Sequence, residues 1–135
     1  ERTLGAGRLN AMNALAVFIG AGLGGVGRYG LGLVLAQPGW LPFAVGTLAA
    51  NLIGGFVAGL LFAALGPAWL RANPMGLFLM TGVLGGLTTF SAFTAEGANL
   101  LLDKPMLALG HAAVHVLGCL AAFLLAGKLF GLFGQ

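Results

Sequence analysis

Charge is what this chain has least of. Six Lys or Arg and three Asp or Glu stand among 135 residues, 7% in all, against about 25% in a soluble globular domain. Such a chain has too few ions to solvate a globular surface, and 59% hydrophobic residues with a mean hydropathy of +1.03 read as an integral membrane protein. Cysteine is nearly absent too: Cys119 is alone, so no intrachain disulfide is possible. No nucleophile, base and orienting group can be assembled, which argues against an enzyme. No nucleic-acid partner is expected.

What the chain has is apolar length. Stretches of about 20 apolar residues suit a membrane helix, and four such spans fit here, at 12–36, 41–65, 75–102 and 105–130. The first is long and lacks a small-residue cleavage site, so it reads as a retained helix rather than a signal peptide. Residues 1–11, ERTLGAGRLNA, precede a natural-looking Met12-Asn13 start. They read as an upstream extension or a non-native addition, leaving 12–131 as a single four-helix transmembrane domain. The connections AQPGW, GPAWLRANP and DKP hold Pro, Gly, Asn and Trp, as interfacial turns do. Arg2, Arg8, Arg71 and Lys128 face one side, against Lys104 and, at a span end, Arg28. This weak positive-inside bias suits one orientation or both.

Four helices barely enclose a route of their own, so oligomerisation is expected. The 25 glycines include the small-xxx-small pairs Gly20/Gly24, Gly55/Gly59 and Gly82/Gly86, spaced for close helix approach within or between chains. Gly20, Gly22 and Gly25 also spell G-x-G-x-x-G, but no strand precedes them and no acidic residue follows about 20 positions on. Helix packing accounts for them better than a dinucleotide.

Polar side chains inside a span need partners and are functional candidates. Arg28 lies in the first span, Thr47 and Asn51 in the second, Thr81 to Glu96 in the third, and His111, His115 and Cys119 in the fourth. Asn51 falls about ten residues into its span, near the midplane at ~1.5 Å per residue, and reads either as an interhelical clamp or as a donor in a path. The third span runs GGLTTFSAFTAEG through its centre. Paired glycines cost about 1 kcal/mol each in a helix interior and hydroxyls compete for backbone groups, which predicts a break. Broken helices at membrane depth are where transport proteins place ion sites. Phe90 and Phe93, three apart, share a face of the resumed helix, and the positive edge of an aromatic ring can meet an anion. With Thr89, Ser91 and Asn51 they are candidates to line an anion path. Arg28 and Glu96 either pair or each face a vestibule. His111 and His115, four apart, permit metal ligation or protonation chemistry. With no Cys or carboxylate beside them in sequence, a hydrogen-bonded interhelical role is favoured.

Three motifs in order, GGVGRYG (24–30), VGTLAANLIGGFVAGL (45–60) and GVLGGLTTFSAFTAE (82–96), closely resemble the Fluc family of fluoride channels, also called CrcB. The resemblance covers nearly the whole chain, and the third motif is the most specific. It implies an all-α membrane protein with four transmembrane helices per subunit, the third broken at mid-membrane. It further implies an antiparallel dual-topology homodimer in the cell's inner (plasma) membrane, two pores that export fluoride passively, and one central structural sodium ion. Asn51, Phe90 and Phe93 look like the pore residues, with Thr89 and Ser91 beside them. Thr89, Ser91 and Glu96 match positions in or near a polar track and Arg28 the arginine of a GR-aromatic motif, with His111 a candidate substitute in the vestibule or track, and the backbone carbonyls of Gly85 and Thr88 resemble the sodium ligands. One departure stands on the fourth helix, where Tyr and Ser are usual and GHAAVHVLGC replaces them. The alternative of another class, a proton-coupled small multidrug exporter, needs a carboxylate in the first helix, and this chain has none there.

Overall fold

The computed structural model describes residues 10–35 and 44–131. Most of the 1–11 extension and the AQPGW connection lie outside them. All elements are helical: α1 Ala11–Val34, α2 Val45–Leu65, α3 Pro67–Ala72, α4 Pro74–Leu77, a π-helical segment Phe78–Leu84, α5 Gly85–Leu87, α6 Phe90–Asp103 and α7 Pro105–Leu129. Four helical stretches, Ala11–Val34, Val45–Leu65, Pro74–Asp103 and Pro105–Leu129, are long and apolar enough to cross a membrane.

Local chemistry sets several ends. Asn10 caps α1, its Oδ1 accepting from the Met12 N–H at 2.9 Å, and Asn73 does the same for α4 through the Met75 N–H at 2.9 Å. Gly66 ends α2 with φ +75°, a conformation that costs an L side chain dearly. Pro67, Pro74 and Pro105 then open α3, α4 and α7, where a missing N–H costs nothing. The GPAWLRANP connection is therefore more than a turn: it holds the short helix α3, whose Leu70 is 2% exposed.

Backbone contact replaces a side-chain core. The described buried apolar residues are Ala50, Leu70, Leu84, Leu100, Ala108 and Ala126, and the largest side chain below 2% exposure is His111. Glycines explain how. A Cβ on Gly20 would stand 2.9 Å from Gly82 Cα, and one on Gly86 3.0 Å from Ala21 Cα. Gly55 and Gly59 lie equally close to the backbone of Cys119 and Phe123. These pairs thus pack α1 on the third span and α2 on α7 within one chain. Gly22 and Gly25 meet nothing within 4 Å, so within one chain Gly20 alone of the G-x-G-x-x-G run is a packing residue. The outer faces carry Phe18, Val26, Leu102 and Met106, each at least 70% exposed, an exterior suited to lipid tails.

Candidate functional site

Between α5 and α6 the backbone leaves the helical region. Thr88 has φ −80°, ψ 153°, and Thr89 has φ −148°, ψ 119°. Two side chains hold this step. Asn51 on α2 exchanges a reciprocal pair of hydrogen bonds with Thr89: the Thr89 N–H donates to Asn51 Oδ1 at 2.8 Å and Asn51 Nδ2 donates to the Thr89 carbonyl at 3.1 Å. Thr89 Oγ1 caps α6 by accepting from the Ala92 N–H at 3.2 Å, and lies 3.1 Å from Ser91 Oγ. Asn51 therefore clamps, yet an amide has two N–H donors, and one is left over after the exchange.

These bonds divert two helical donors. In an unbroken helix the Thr89 N–H would serve the Gly85 carbonyl, and the Ala92 N–H the Thr88 carbonyl. Both are committed to side-chain oxygens instead. The Gly86 carbonyl accepts from Arg28 Nε at 3.1 Å, which ties α1 to α5.

A cleft of about 450 Å³ opens beside the step. Asn51, Gly85, Thr88, Thr89, Phe90 and Phe93 line it, with His115 and Cys119 from α7 completing one wall. Among its described lining residues none is a Lys or Arg. Phe90 stands at the rim, 76% exposed, with its ring centroid 5.2 Å from that of Phe93. Phe93 turns inward and stacks on His111, ring centroids 5.2 Å apart, while the His115 ring meets it tilted, at 4.9 Å.

Behind Phe93 lies a second polar group. Glu96 Oε1 accepts from Thr47 Oγ1 at 2.5 Å, while Oε2 is 3.9 Å from His111 Nε2. That His111 nitrogen also stands 3.3 Å from the Phe93 carbonyl. His115 Nδ1 is 3.1 Å from the His111 carbonyl. A carbonyl can only accept, so this contact assigns a proton to Nδ1, and in the neutral imidazole Nε2 keeps the lone pair.

Of the residues singled out in the sequence, Asn51, Thr89, Phe90 and Phe93 meet in one cleft. Ser91 sits beside Thr89, and Glu96 and His111 meet each other. Arg28 and Glu96 do not pair: one goes to Gly86 and the other to Thr47 and His111. The sequence left Thr47 without a role and Cys119 without a place. Their places follow from which face of α2 meets α6 and α7, and the one available hint was the i, i+4, i+8 spacing of His111, His115 and Cys119.

The chain is similar to known proteins along most of its length. The family model described as "CrcB-like protein, Camphor Resistance (CrcB)" matches residues 15–127. The "Fluoride-specific ion channel FluC" of Variovorax paradoxus (strain S110) is 45% identical over 113 residues, covering 78% of this chain and 84% of that protein. The proteins of the same name from Aromatoleum aromaticum, 51% identical over 113 residues (78% of this chain, 81% of that protein), and from Xanthomonas oryzae pv. oryzae (strain MAFF 311018), 42% identical over 118 residues (87% of each), match along a similar length. With four membrane-crossing helices and a family match across residues 15–127, the chain is a multi-pass membrane protein and belongs to the CrcB family.

Proposed function

We propose that this chain is the subunit of a fluoride-selective channel that lets the ion leave the cell passively. The observation that carries the reading is the Asn51–Thr89 exchange at the edge of the cleft. Fluoride is small and tightly hydrated, so a path for it must replace water with donors. The spare Asn51 N–H, the one hydroxyl proton that the Thr89–Ser91 hydrogen bond leaves over, and the first N–H groups of α6, which a helix start leaves without helical acceptors, are such donors. The ring edges of Phe90 and Phe93 add positive potential without a formal charge. A fixed cation at that point would hold the anion too tightly for conduction. Relatives at 42–51% identity carry the name fluoride-specific ion channel, which supports the same substrate. Arg28, Glu96 and His111 then belong to a vestibule or polar track leading to the path. The multidrug-exporter reading gains no support from these relatives.

Two copies, inserted antiparallel in the plasma membrane, would complete the assembly with two pores. The break in the third span then lies at mid-membrane depth, where non-helical backbone needs a protein or ionic partner. The residues fit a structural sodium ion. The Gly85 and Thr88 carbonyls have lost their helical donors to Asn51 and Thr89, and Gly85 is exposed on its own chain. Neutral oxygens of this kind suit a hard cation. Each copy would offer two such carbonyls, and sodium would supply charge balance for backbone that lipid cannot satisfy.

The experiment is ion efflux from liposomes holding purified protein. Fluoride efflux without ATP or a proton gradient, with chloride retained, is the expected result. Equal chloride efflux, or fluoride movement that requires an energy source, would sink the reading.

A further inference from the structure

The cluster behind Phe93 brings a carboxylate to two imidazoles that the sequence places on a different helix. One ligand atom each from Glu96, His111 and His115 lies within 4.8 Å of the others. His111 and His115 are 1% and 3% exposed. His115 Nε2 and Glu96 Oε2 are among the buried atoms without a hydrogen-bond partner. A buried acceptor left unmade is costly, about 1–3 kcal/mol, and a cation held by the cluster would give both a partner. The chemistry of that partner follows from the donors. In the neutral imidazole, a proton held on His115 Nδ1 by the His111 carbonyl leaves Nε2 as a metal-ligating lone pair, whereas His111 Nε2 faces the Phe93 carbonyl at 3.3 Å and must give up that contact and its proton if it is the atom that binds. Two imidazoles and one carboxylate form a set that binds zinc with an open fourth position, and imidazoles four apart on one helix face are a zinc-binding spacing.

We propose that Glu96, His111 and His115 form a site for a borderline divalent metal ion, zinc above all, and that its occupancy blocks ion passage. Access runs along Glu96, whose side chain is 19% exposed. Zinc–nitrogen bonds of about 2.0–2.1 Å need ligand atoms closer together than they now stand, so the imidazoles must draw inward. Phe93 is stacked on His111 and in ring contact with His115, and must follow. A divalent charge would then sit directly behind the cleft wall and hold an anion in place. The blocking effect rests on the channel reading above; the metal site does not.

Protein purified without a polyhistidine tag and stripped of metal is titrated with zinc chloride against a chromophoric chelator. One zinc per chain is expected, with an X-ray absorption spectrum showing nitrogen and oxygen ligands and no sulfur. Glu96→Gln and His115→Gln should each weaken binding by about tenfold or more, and Cys119→Ser should not change it. Sulfur ligation, no retained zinc, or undiminished binding in both Glu96→Gln and His115→Gln would overturn the site. The absorption spectrum of the unmodified protein decides the ligand class even where a variant does not fold. Fluoride efflux from liposomes is then compared with and without zinc chloride for each protein. Zinc should slow efflux at least about tenfold in the parent and should lose most of that effect in His115→Gln. Zinc bound with efflux unchanged would refute the block, whereas zinc bound to a protein that passes no fluoride at all would refute the channel reading and leave the metal site standing.

Discussion

At the scale of single residues, Asn51 carries two tasks with one amide. It satisfies both backbone groups of Thr89, and by the proposed function its second N–H meets the ion. Asn51→Ala strips partners from a backbone N–H and carbonyl at a residue 8% exposed. That should cost about 1–3 kcal/mol of stability together with most fluoride flux, read by thermal unfolding in detergent and by liposome efflux on the same preparation. Phe93 allows the two effects to be separated. Phe93→Leu keeps apolar volume and leaves the Asn51–Thr89 exchange untouched, but removes the ring edge. It should lower fluoride flux at least about tenfold while the protein still purifies as the parent does; flux at the parental level would take Phe93 out of the path. Both positions were readable from the sequence as polar or aromatic oddities in an apolar span. Their partners were not. Glu96 and His111 lie fifteen positions apart on consecutive helices, and only the packing of α6 on α7 brings them within 3.9 Å.

Among elements, the legible part is hydropathy and the illegible part is backbone fit. The four spans follow from apolar length alone, because lipid demands it. The π-helical segment Phe78–Leu84 leaves no such mark, since an i→i+5 turn is chosen by what the helix packs against. Here that neighbour is α1, with Gly20 against Phe78 and Gly82. The paired glycines read as a helix break also divide once packing is known. A Cβ on Gly86 would press into the backbone of Ala21, whereas one on Gly85 would meet only the Met80 carbonyl oxygen, at 3.8 Å. Gly86→Ala should therefore separate α1 from α5 and destabilise the chain by about 1–3 kcal/mol. Gly85→Ala should leave chain stability within about 1 kcal/mol of the parent, or raise it through better helix propensity. Unfolding midpoints of the two variants side by side check this, and equal midpoints would mean that Gly86 is not a packing residue.

For the whole molecule the open matter is how two chains would share one ion. A single chain buries few large side chains and leaves its outer face apolar, so lipid alone does not select a partner face; a polar feature must. By the proposed function that feature is the pair of carbonyls at Gly85 and Thr88, whose usual donors are taken by Asn51 and Thr89. Sodium binding to the assembled pair but not to separated chains stabilises the pair by mass action, about 2.7 kcal/mol when sodium exceeds its dissociation constant a hundredfold. Dimer stability in detergent and fluoride efflux should both fall when sodium is replaced by a large organic cation. The ligands are main-chain atoms, so Thr88→Ala should keep most of the sodium response. It removes the hydroxyl that donates to the Leu84 carbonyl at 2.8 Å but leaves the Thr88 carbonyl in place. Gly85→Ala favours helix at the carbonyl itself and should weaken the response more, without the α1 clash that complicates Gly86→Ala. Indifference of the unmodified protein to sodium in both measurements would remove the ion from the assembly, and the cleft with its Asn51 amide would then stand as a path that needs no cation to hold it open.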